Sequence, residues 1–403
     1  MNRVAKLYRS HALLLDAVSR SVFGFLVIMA IPISWGYESL GLFGSTLVVG
    51  SFLWLVGSFQ FEKAVINAIY NRPNDFFRSV GYRVIIYAGV VFFAVIVLRF
   101  LGRNIEYLPL FCAGLIWQFL DGFLKSRGRF VKPSAIKLLI RSIAIIVKVY
   151  VIFNFDIHML FIIYFFEGLL IFLLLIPVSF QDLSDEAVSS SELGGALDSA
   201  GHVDNIRIAF FGWINFVNNN FYVLFGSFFM EVEIVGFFYF YMRCIDLGAL
   251  LATPNVAVST YKLRINRHTR ADSNRTLIVM AKVWLACSLA VFAGYLYRLK
   301  LDVVYQYEFL GVSLLCIASM PFILGVMRVS YHVINGYSGA GILQGLTTFG
   351  LSMFVVYSST VFFNSQLPFW AVCACLVVTR VSTCWLSPSL FRAGRRYLHW
   401  QYR

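Results

Sequence analysis

The chain alternates between long apolar runs and short polar gaps along nearly its whole length. The runs are continuous in hydrophobicity, with no residue-by-residue alternation, which predicts helices and not strands. Each is long enough for the ~20 apolar residues that a helix needs to cross a ~30 Å hydrocarbon core. We predict twelve spans, at residues 18–35, 39–58, 82–100, 106–125, 133–154, 157–179, 205–229, 233–259, 277–297, 304–327, 341–363 and 367–387. The pattern therefore predicts an all-α, polytopic membrane protein.

The basic residues fall almost entirely in every second gap, and this fixes an expected orientation. With a cytoplasmic N-terminus, the inner gaps and tails, together with the span ends that adjoin them, hold 26 of the 33 Lys and Arg residues. The outer gaps hold four: Arg99, Arg103, Arg298 and Lys300. Because basic flanks resist translocation, we expect the basic side to stay in the cytoplasm. This predicts a multi-pass protein of the inner (plasma) membrane with both termini cytoplasmic.

The composition excludes several classes of function. The net charge of +13 fits contact with anionic lipids at the inner leaflet. We expect no nucleic acid partner, since no soluble basic domain is present to bind one. No gap can hold a nucleotide-binding or soluble catalytic domain, so we do not expect an enzyme or a cofactor. All seven cysteines lie within predicted spans, which favours packing roles over disulfides or a metal site.

A central linker and a short repeat divide the chain. Residues 181–204 are rich in Ser, Gly and acid and lack Lys and Arg, which predicts a flexible cytoplasmic linker. It separates an N-terminal lobe of six spans (residues 1–180) from a C-terminal lobe of six (residues 205–403). Glu38-Ser-Leu-Gly41 enters the second span, and Glu233-Ile-Val-Gly236 enters the eighth, 195 positions later. This repeat favours two lobes related by an axis along the membrane normal, a recurrent transporter architecture.

Twelve spans, two lobes and no extramembrane domain resemble the O-antigen (Wzx-type) flippases of the multidrug/oligosaccharidyl-lipid/polysaccharide (MOP) superfamily, whose fold is MATE-like. The segment from Glu233 to Asp246, running on to Pro254, is similar to the start of that family's second-lobe helix pair. The resemblance implies an alternating-access carrier that moves an undecaprenyl-pyrophosphate-linked oligosaccharide to the outer leaflet during surface polysaccharide (O-antigen, lipopolysaccharide) biosynthesis. It implies contact with membrane lipid and is compatible with a polysaccharide assembly complex. We expect a functional monomer, because a two-lobed carrier encloses its path within one chain.

Span five carries basic residues where charge is costly. Lys137, Arg141 and Lys148 are spaced by four and seven, so they share one helix face. That face rises about 16 Å and would suit a phosphate group moving past it. Lys137 and Arg141 could instead extend to the inner headgroups. Lys148 is too deep for this and is expected to line a cavity. Glu167 in span six could couple transport to H⁺ or Na⁺, or pair with Lys148. Two further carboxylates lie near the inner ends of spans and are expected to be interfacial: Asp121 and Glu62.

The second half of the chain offers further candidates for substrate binding. Arg243 and Asp246 lie three residues apart in span eight. They could neutralise each other, or Arg243 could exchange Asp246 for the substrate's pyrophosphate or sugars. Span seven carries an inward-facing polar stripe that would bond neighbouring helices or bind sugars: Asn215, Asn218, Asn219 and Tyr222. Arg380 in span twelve is a further candidate for lining a cavity.

Two other functions compete with the flippase. A membrane-embedded enzyme of glycan assembly (a polymerase, ligase or acyltransferase) acting on the outside would be expected to carry a sizeable outer loop, and every outer gap here is short. A MATE-like small-molecule efflux antiporter would typically place an acidic coupling residue in the first span. Here the nearest acid, Asp16, lies before that span. These observations favour the flippase.

Overall fold

A computed structural model describes residues 3–58, 73–100, 106–126, 131–186, 200–264, 270–299, 307–319, 338–363 and 366–383. Within these ranges the regular structure is helical and contains no strand, as the apolar pattern predicted. The longer helices are α1 (Arg3–Gly57), α2 (Pro73–Phe100), α5 (Val131–Asn154), α6 (Ile157–Glu186), α7 (Ala200–Leu224), α8 (Val232–Arg264), α9 (Arg270–Leu299) and α11 (Ser338–Phe363). The shorter ones are α3 (Leu108–Ala113), α4 (Gln118–Ser126), α10 (Glu308–Ser319) and α12 (Phe369–Thr383).

Four of the described segments are long and apolar enough to cross a membrane. They are Val18–Gly57, Gly81–Phe100, Ile157–Phe180 and Ile342–Phe363. Helix α5 has 24 residues and matches predicted span five, but its four basic residues lower its mean hydropathy. A helix of this length with buried charge is typical of a membrane bundle whose interior has a polar role.

The predicted outer turn between spans one and two lies inside the long helix α1. Gly36 leaves the helical conformation there, with φ 77° and ψ 176°. Glycine has no Cβ and adopts this positive φ without strain, whereas other residues rarely do. The chain therefore changes direction at Gly36, in the gap predicted between residues 35 and 39.

The chain forms two compact units. The first unit comprises Met1–Ala30 and Thr46–Trp213, and the second comprises Ile31–Ser45 and Ile214–Arg403. Part of the predicted linker is helical, since residues 181–186 end α6 and residues 200–204 belong to α7. Residues 187–199 lie outside the described part of the chain. The division into lobes at this linker therefore stays a prediction.

Predicted span four consists of two short α-helices joined by tight turns. Helix α3 ends at Ala113 and α4 begins at Gln118. The turns between them are tight, with Gln118 N donating to the Leu115 carbonyl at 3.0 Å. The break lets the Gly114 backbone lie directly against α6, where a Cβ at Gly168 would overlap the Gly114 carbonyl oxygen. In lipid, such close approach of backbones is a main source of helix association.

We expect Gly168→Ala to destabilise the first unit. The added methyl group would force α6 away from Gly114, and overpacking of this kind typically costs about 1–3 kcal/mol. The measurement is the melting temperature of the detergent-solubilised protein, followed by gel filtration. Gly89→Ala is the matched control, because a Cβ at Gly89 meets nothing within 4 Å. Equal melting temperatures for the two variants would contradict the close approach.

Aromatic side chains with satisfied polar ends pack the interior of the first unit. The Trp54 ring lies 5.1 Å from that of Tyr87 and 4.5 Å from that of Phe119. Tyr87 donates its hydroxyl to the Cys112 carbonyl at 2.9 Å, so the buried phenol keeps a partner. The Trp213 indole donates to the Leu55 carbonyl at 3.0 Å. These contacts join α1, α2, the α3–α4 region and α7 into the scaffold around α5.

Candidate functional site: a buried chain of charges on helix α5

Helix α5 turns its charged face into the first unit. Lys137, Arg141 and Lys148 are buried, whereas the apolar residues Leu139 and Ile146 are exposed. In water this orientation would be costly. For a helix in lipid it is the expected one, because the apolar face meets hydrocarbon and the charges find partners inside.

Lys137 is fully enclosed between two carboxylates. Its Nζ lies 2.7 Å from Asp16 Oδ2 and 2.7 Å from Asp121 Oδ1, and its side chain is 0% exposed. The Trp117 ring centre lies 5.8 Å from Nζ. The alternative that Lys137 extends to the headgroups is therefore wrong, because the side chain is directed into the protein.

Arg141 and Lys148 continue the series of ion pairs. Arg141 Nη1 donates to Asp16 Oδ1 at 2.5 Å, and its Nε lies 3.9 Å from Glu167 Oε1. Arg141 is therefore also directed inward and does not reach for the headgroups. Lys148 donates to Glu167 Oε2, and its Nζ lies over the Tyr164 ring, 3.4 Å from the centre. The Lys148–Glu167 pairing considered from the sequence is present.

Together these groups form an alternating chain of charges, which we call the α5 charge chain. Its six members, in spatial order, are Asp121, Lys137, Asp16, Arg141, Glu167 and Lys148. Within this described set, three cations balance three carboxylates. Each residue within the α5 charge chain, other than the two at its ends, contacts two residues of opposite charge. An anionic ligand could therefore replace one carboxylate without leaving a cation unpaired.

Asp16 is the member that the sequence placed outside the first span. Helix α1 begins at Arg3, so Asp16 lies inside a continuous helix, and its side chain is buried. Burial by itself raises the pKa of the Asp16 carboxyl, but Lys137 and Arg141 outweigh it and hold that pKa below the usual value. Asp16 therefore stays ionised while both cations remain beside it.

Asp121 corrects a second expectation. A carboxylate near the inner end of a span was expected to lie at the membrane interface, yet Asp121 is buried and bonded to Lys137. The tight turns before α4 bring it against α5. Glu62, for which the same was expected, lies outside the described residues.

In the second unit, Arg243 and Asp246 form an ion pair within α8. Arg243 Nη1 lies 2.8 Å from Asp246 Oδ2, and the side chains are 33% and 43% exposed. The guanidinium also lies 4.8 Å from the centre of the Tyr239 ring. This pair differs from the α5 charge chain because both of its side chains are partly exposed.

The polar stripe of α7 is not a single inward face. Asn218 donates to the Gly345 carbonyl of α11 at 2.9 Å, an interhelical hydrogen bond. Asn219 is exposed and Asn215 is half-buried. The Tyr222 hydroxyl is buried, 3.5 Å from Thr379 Oγ1. Asn218 and Tyr222 therefore join helices, which leaves Asn215 and Asn219 as the more accessible amides.

Arg380 and Arg298 hold structural positions in the second unit. Arg380 Nη1 donates to the Ala318 carbonyl of α10 at 3.3 Å. Arg298 was assigned to an outer gap, and in the structure its side chain is buried, at 1% exposure. It makes a bidentate pair with Glu308, with Nε–Oε1 at 2.6 Å and Nη2–Oε2 at 2.7 Å. Counting charges by gap treats every gap residue as solvated, so it could not find this pair.

Comparisons with known proteins bear on the fold. The chain is similar to the structure of the outward-facing conformation of a multidrug resistance MATE family transporter of the MOP superfamily. The TM-score is 0.53 at 12% identity, and the match covers 98% of this chain and 95% of that one. A crystal structure of MATE in complex with MaL6 also matches, at 12% identity and with the same coverages, but its TM-score of 0.49 is too low to support an argument. No family model and no curated protein matches the chain. At this identity the first likeness shows the fold alone: the chain has the fold of a MATE family transporter.

Proposed function

We propose that the protein is an alternating-access carrier that moves an undecaprenyl-pyrophosphate-linked oligosaccharide from the cytoplasmic to the outer leaflet of the inner membrane. The observation that carries the proposal is the α5 charge chain. Its six ionisable groups, five of them buried and Glu167 largely so, are expensive in a membrane bundle and usually mark a substrate or ion path. The MATE fold supports a carrier. Its two lobes, both termini cytoplasmic and a monomeric state belong to the same proposal.

The α5 charge chain suits a pyrophosphate because its Lys and Arg side chains can exchange a carboxylate partner for a phosphate group. Phosphate oxygens accept the same charge-assisted hydrogen bonds from Lys and Arg that carboxylates do. A pyrophosphate that displaces Glu167 would gain Lys148 and Arg141 at once, and the cations would never be left bare. The displaced Glu167 or Asp16 could then bind the coupling H⁺ or Na⁺. Each exchange keeps the number of ion pairs nearly constant, which keeps the desolvation cost low.

In the second unit, we assign the half-exposed Arg243 and Asp246 to substrate binding. Arg243 would exchange Asp246 for the pyrophosphate or an anionic sugar, and Asp246 would return when the substrate leaves. The accessible amides of Asn215 and Asn219 would donate to sugar hydroxyls. Arg380 would support this region through α10 and α12.

A second candidate function is a small-molecule efflux antiporter, and the position of Asp16 favours it. A buried carboxylate in the first helix is what such a carrier would use for ion coupling, and Asp16 has that position. The two functions differ in cargo. Expression in an efflux-deficient host would raise resistance to cationic dyes if the protein is an antiporter, and would not if it is a lipid-linked glycan flippase.

Arg243→Ala tests the proposed function in cells. Deleting the gene should cause lipid-linked repeat units to accumulate in the inner leaflet. Arg243→Ala should fail to reverse this at normal membrane levels, since a partly exposed pair contributes only about 0–1 kcal/mol to stability. The matched control is Arg99→Ala, whose side chain is exposed on α2 and which should complement fully.

Full complementation by Arg243→Ala would remove Arg243 from the substrate path. A null strain with shortened polymer and no inner-leaflet accumulation would instead favour a polymerase.

A further inference from the structure

The tip of the first helical hairpin packs with the second half of the chain. Residues Ile31–Ser45 belong to the second unit, although the flanking segments, ending at Ala30 and resuming at Thr46, belong to the first. This segment, which we call the hairpin tip, contains the turn at Gly36 and the first copy of the Glu-x-x-Gly repeat. By the charge pattern it lies at the face opposite the basic gaps.

The two copies of the repeat contact each other reciprocally. A Cβ at Gly41 would overlap the Val232 carbonyl oxygen, and a Cβ at Gly236 would overlap the Tyr37 carbonyl oxygen. With the 195-residue offset of the repeat, Gly41 corresponds to Gly236 and Tyr37 to Val232. The same contact is therefore made twice, once in each direction, as in a local two-fold arrangement. The helix backbones touch with no side chain between them.

Arg298 secures the hairpin tip from the other side. Its guanidinium lies 3.6 Å from the centre of the Phe237 ring and 4.8 Å from that of Tyr37. The Tyr37 ring is in turn 4.3 Å from Phe237. Glu308 neutralises Arg298, and Tyr241 donates its hydroxyl to Glu308 at 2.7 Å. The ion pair lies wholly within residues 214–403, so it persists whether or not Tyr37 is in contact.

We propose that the contact of the hairpin tip with residues 232–239 and Arg298 is the gate of the carrier at the face opposite the basic gaps. The proposal rests on the carrier function proposed above. A gate must close tightly and reopen at low cost. The glycine contact meets both needs, since it excludes water through backbone packing and holds no charge that reopening would leave unpaired. Release of substrate to the outer leaflet would require the hairpin tip to leave this position.

The test combines single alanines at the glycine contact with a cysteine reporter. Leu40→Cys, in a background without other cysteines, places a thiol at a fully buried position of the hairpin tip. Intact cells are treated with a membrane-impermeant maleimide, and the initial labelling rate is measured. Gly41→Ala and Gly236→Ala should each raise that rate by about tenfold, because both strain the closed state and shift the population toward the open one. Gly89→Ala is the control and should leave the rate unchanged.

The possible results test the gate independently of the proposed substrate. Unchanged labelling in both variants, with normal membrane levels, would overturn the gate. So would an equal increase in Gly89→Ala. If one alanine variant fails to reach the membrane, the labelling rate of the variant at the other glycine decides the test. Tyr37→Leu, which removes only the ring facing Arg298, should give a smaller increase in the labelling rate. Raised labelling in a protein that does not move lipid-linked oligosaccharide would support the gate and refute the proposed cargo.

Discussion

Lys137→Ala should be the most damaging single substitution in the first unit. Lys137 holds Asp16 and Asp121 at 2.7 Å each in a site without solvent. Removing it takes one cation away from two buried carboxylates, and breaking a buried pair in this way costs about 3–5 kcal/mol. That is a large share of the ~5–15 kcal/mol that stabilises a folded domain. We expect little monodisperse protein after detergent extraction, and a strongly lowered melting temperature for what remains.

Two further variants show whether the loss comes from unpaired charge. Arg20→Ala removes the exposed, 3.9 Å partner of Asp16 and should change the melting temperature very little. Lys137→Met with Asp121→Asn removes both members of a pair and should recover part of the loss, because neither charge of that pair is left without the other. If Lys137→Ala melted like Arg20→Ala, the buried pairing of Lys137 would be contradicted.

Neutralising Lys148 and Glu167 together should separate folding from transport. Lys148→Met alone leaves Glu167, among the described residues, with Arg141 at 3.9 Å as its cation, and should both destabilise the protein and abolish transport. Adding Glu167→Gln removes the unpaired charge, so the double variant should fold about as well as the unmodified protein. We expect its transport rate to remain at least a hundredfold lower, equivalent to about 3 kcal/mol of lost interaction with the moving phosphate.

The control for this experiment is the conservative variant Lys148→Arg. It keeps the charge and should retain part of the transport activity, although its fork geometry differs from that of an ammonium. A double variant that folds and transports at the normal rate would show that the pair serves only to hold α5 against α6.

Local patterns in the sequence were enough to predict an all-helical chain and a turn in the gap between residues 35 and 39, where Gly36 lies. Hydropathy reports which stretches can exchange water for lipid, and glycine between two such stretches permits a reversal. The break in span four could not be predicted in this way. It depends on the approach of Gly168 to the Gly114 carbonyl, a contact between residues 54 positions apart in the sequence. Hydropathy is the same for a continuous and a broken apolar helix.

The candidate site was only half visible in the sequence. The spacing of Lys137, Arg141 and Lys148 predicts one charged face, and Glu167 was a visible partner. Asp16 and Asp121 were discounted because they lie at span edges, where a carboxylate is usually solvated. Their burial follows from the extension of α1 toward the N-terminus and from the tight turns before α4. Lys137 and Asp16 pair across 121 residues of sequence. Such a pairing is decided by how the helices pack, and the local periodicity of the sequence carries no information about that packing.

The Glu-x-x-Gly repeat was the weakest of the sequence signals, and it marks a well-defined contact in the structure. Glu-x-x-Gly could have matched by chance, yet Gly41 and Gly236 pack directly against each other. Glycine at both positions is explained by the carbonyl oxygens of Tyr37 and Val232, which leave no room for a Cβ. Arg298 shows the opposite case, since a residue assigned to a gap proved to be buried beside this contact.

The most direct test of the account is translocation by the purified protein. Proteoliposomes would carry a fluorescent polyprenyl-pyrophosphate disaccharide in both leaflets, and a membrane-impermeant reductant would bleach whatever reaches the outside. We predict that the unmodified protein exposes the inner-leaflet probe and that Lys148→Met/Glu167→Gln leaves it as protected as in protein-free vesicles. The proposed function would be contradicted if the unmodified protein, under an imposed H⁺ or Na⁺ gradient, left the inner-leaflet probe as protected as it is in protein-free vesicles.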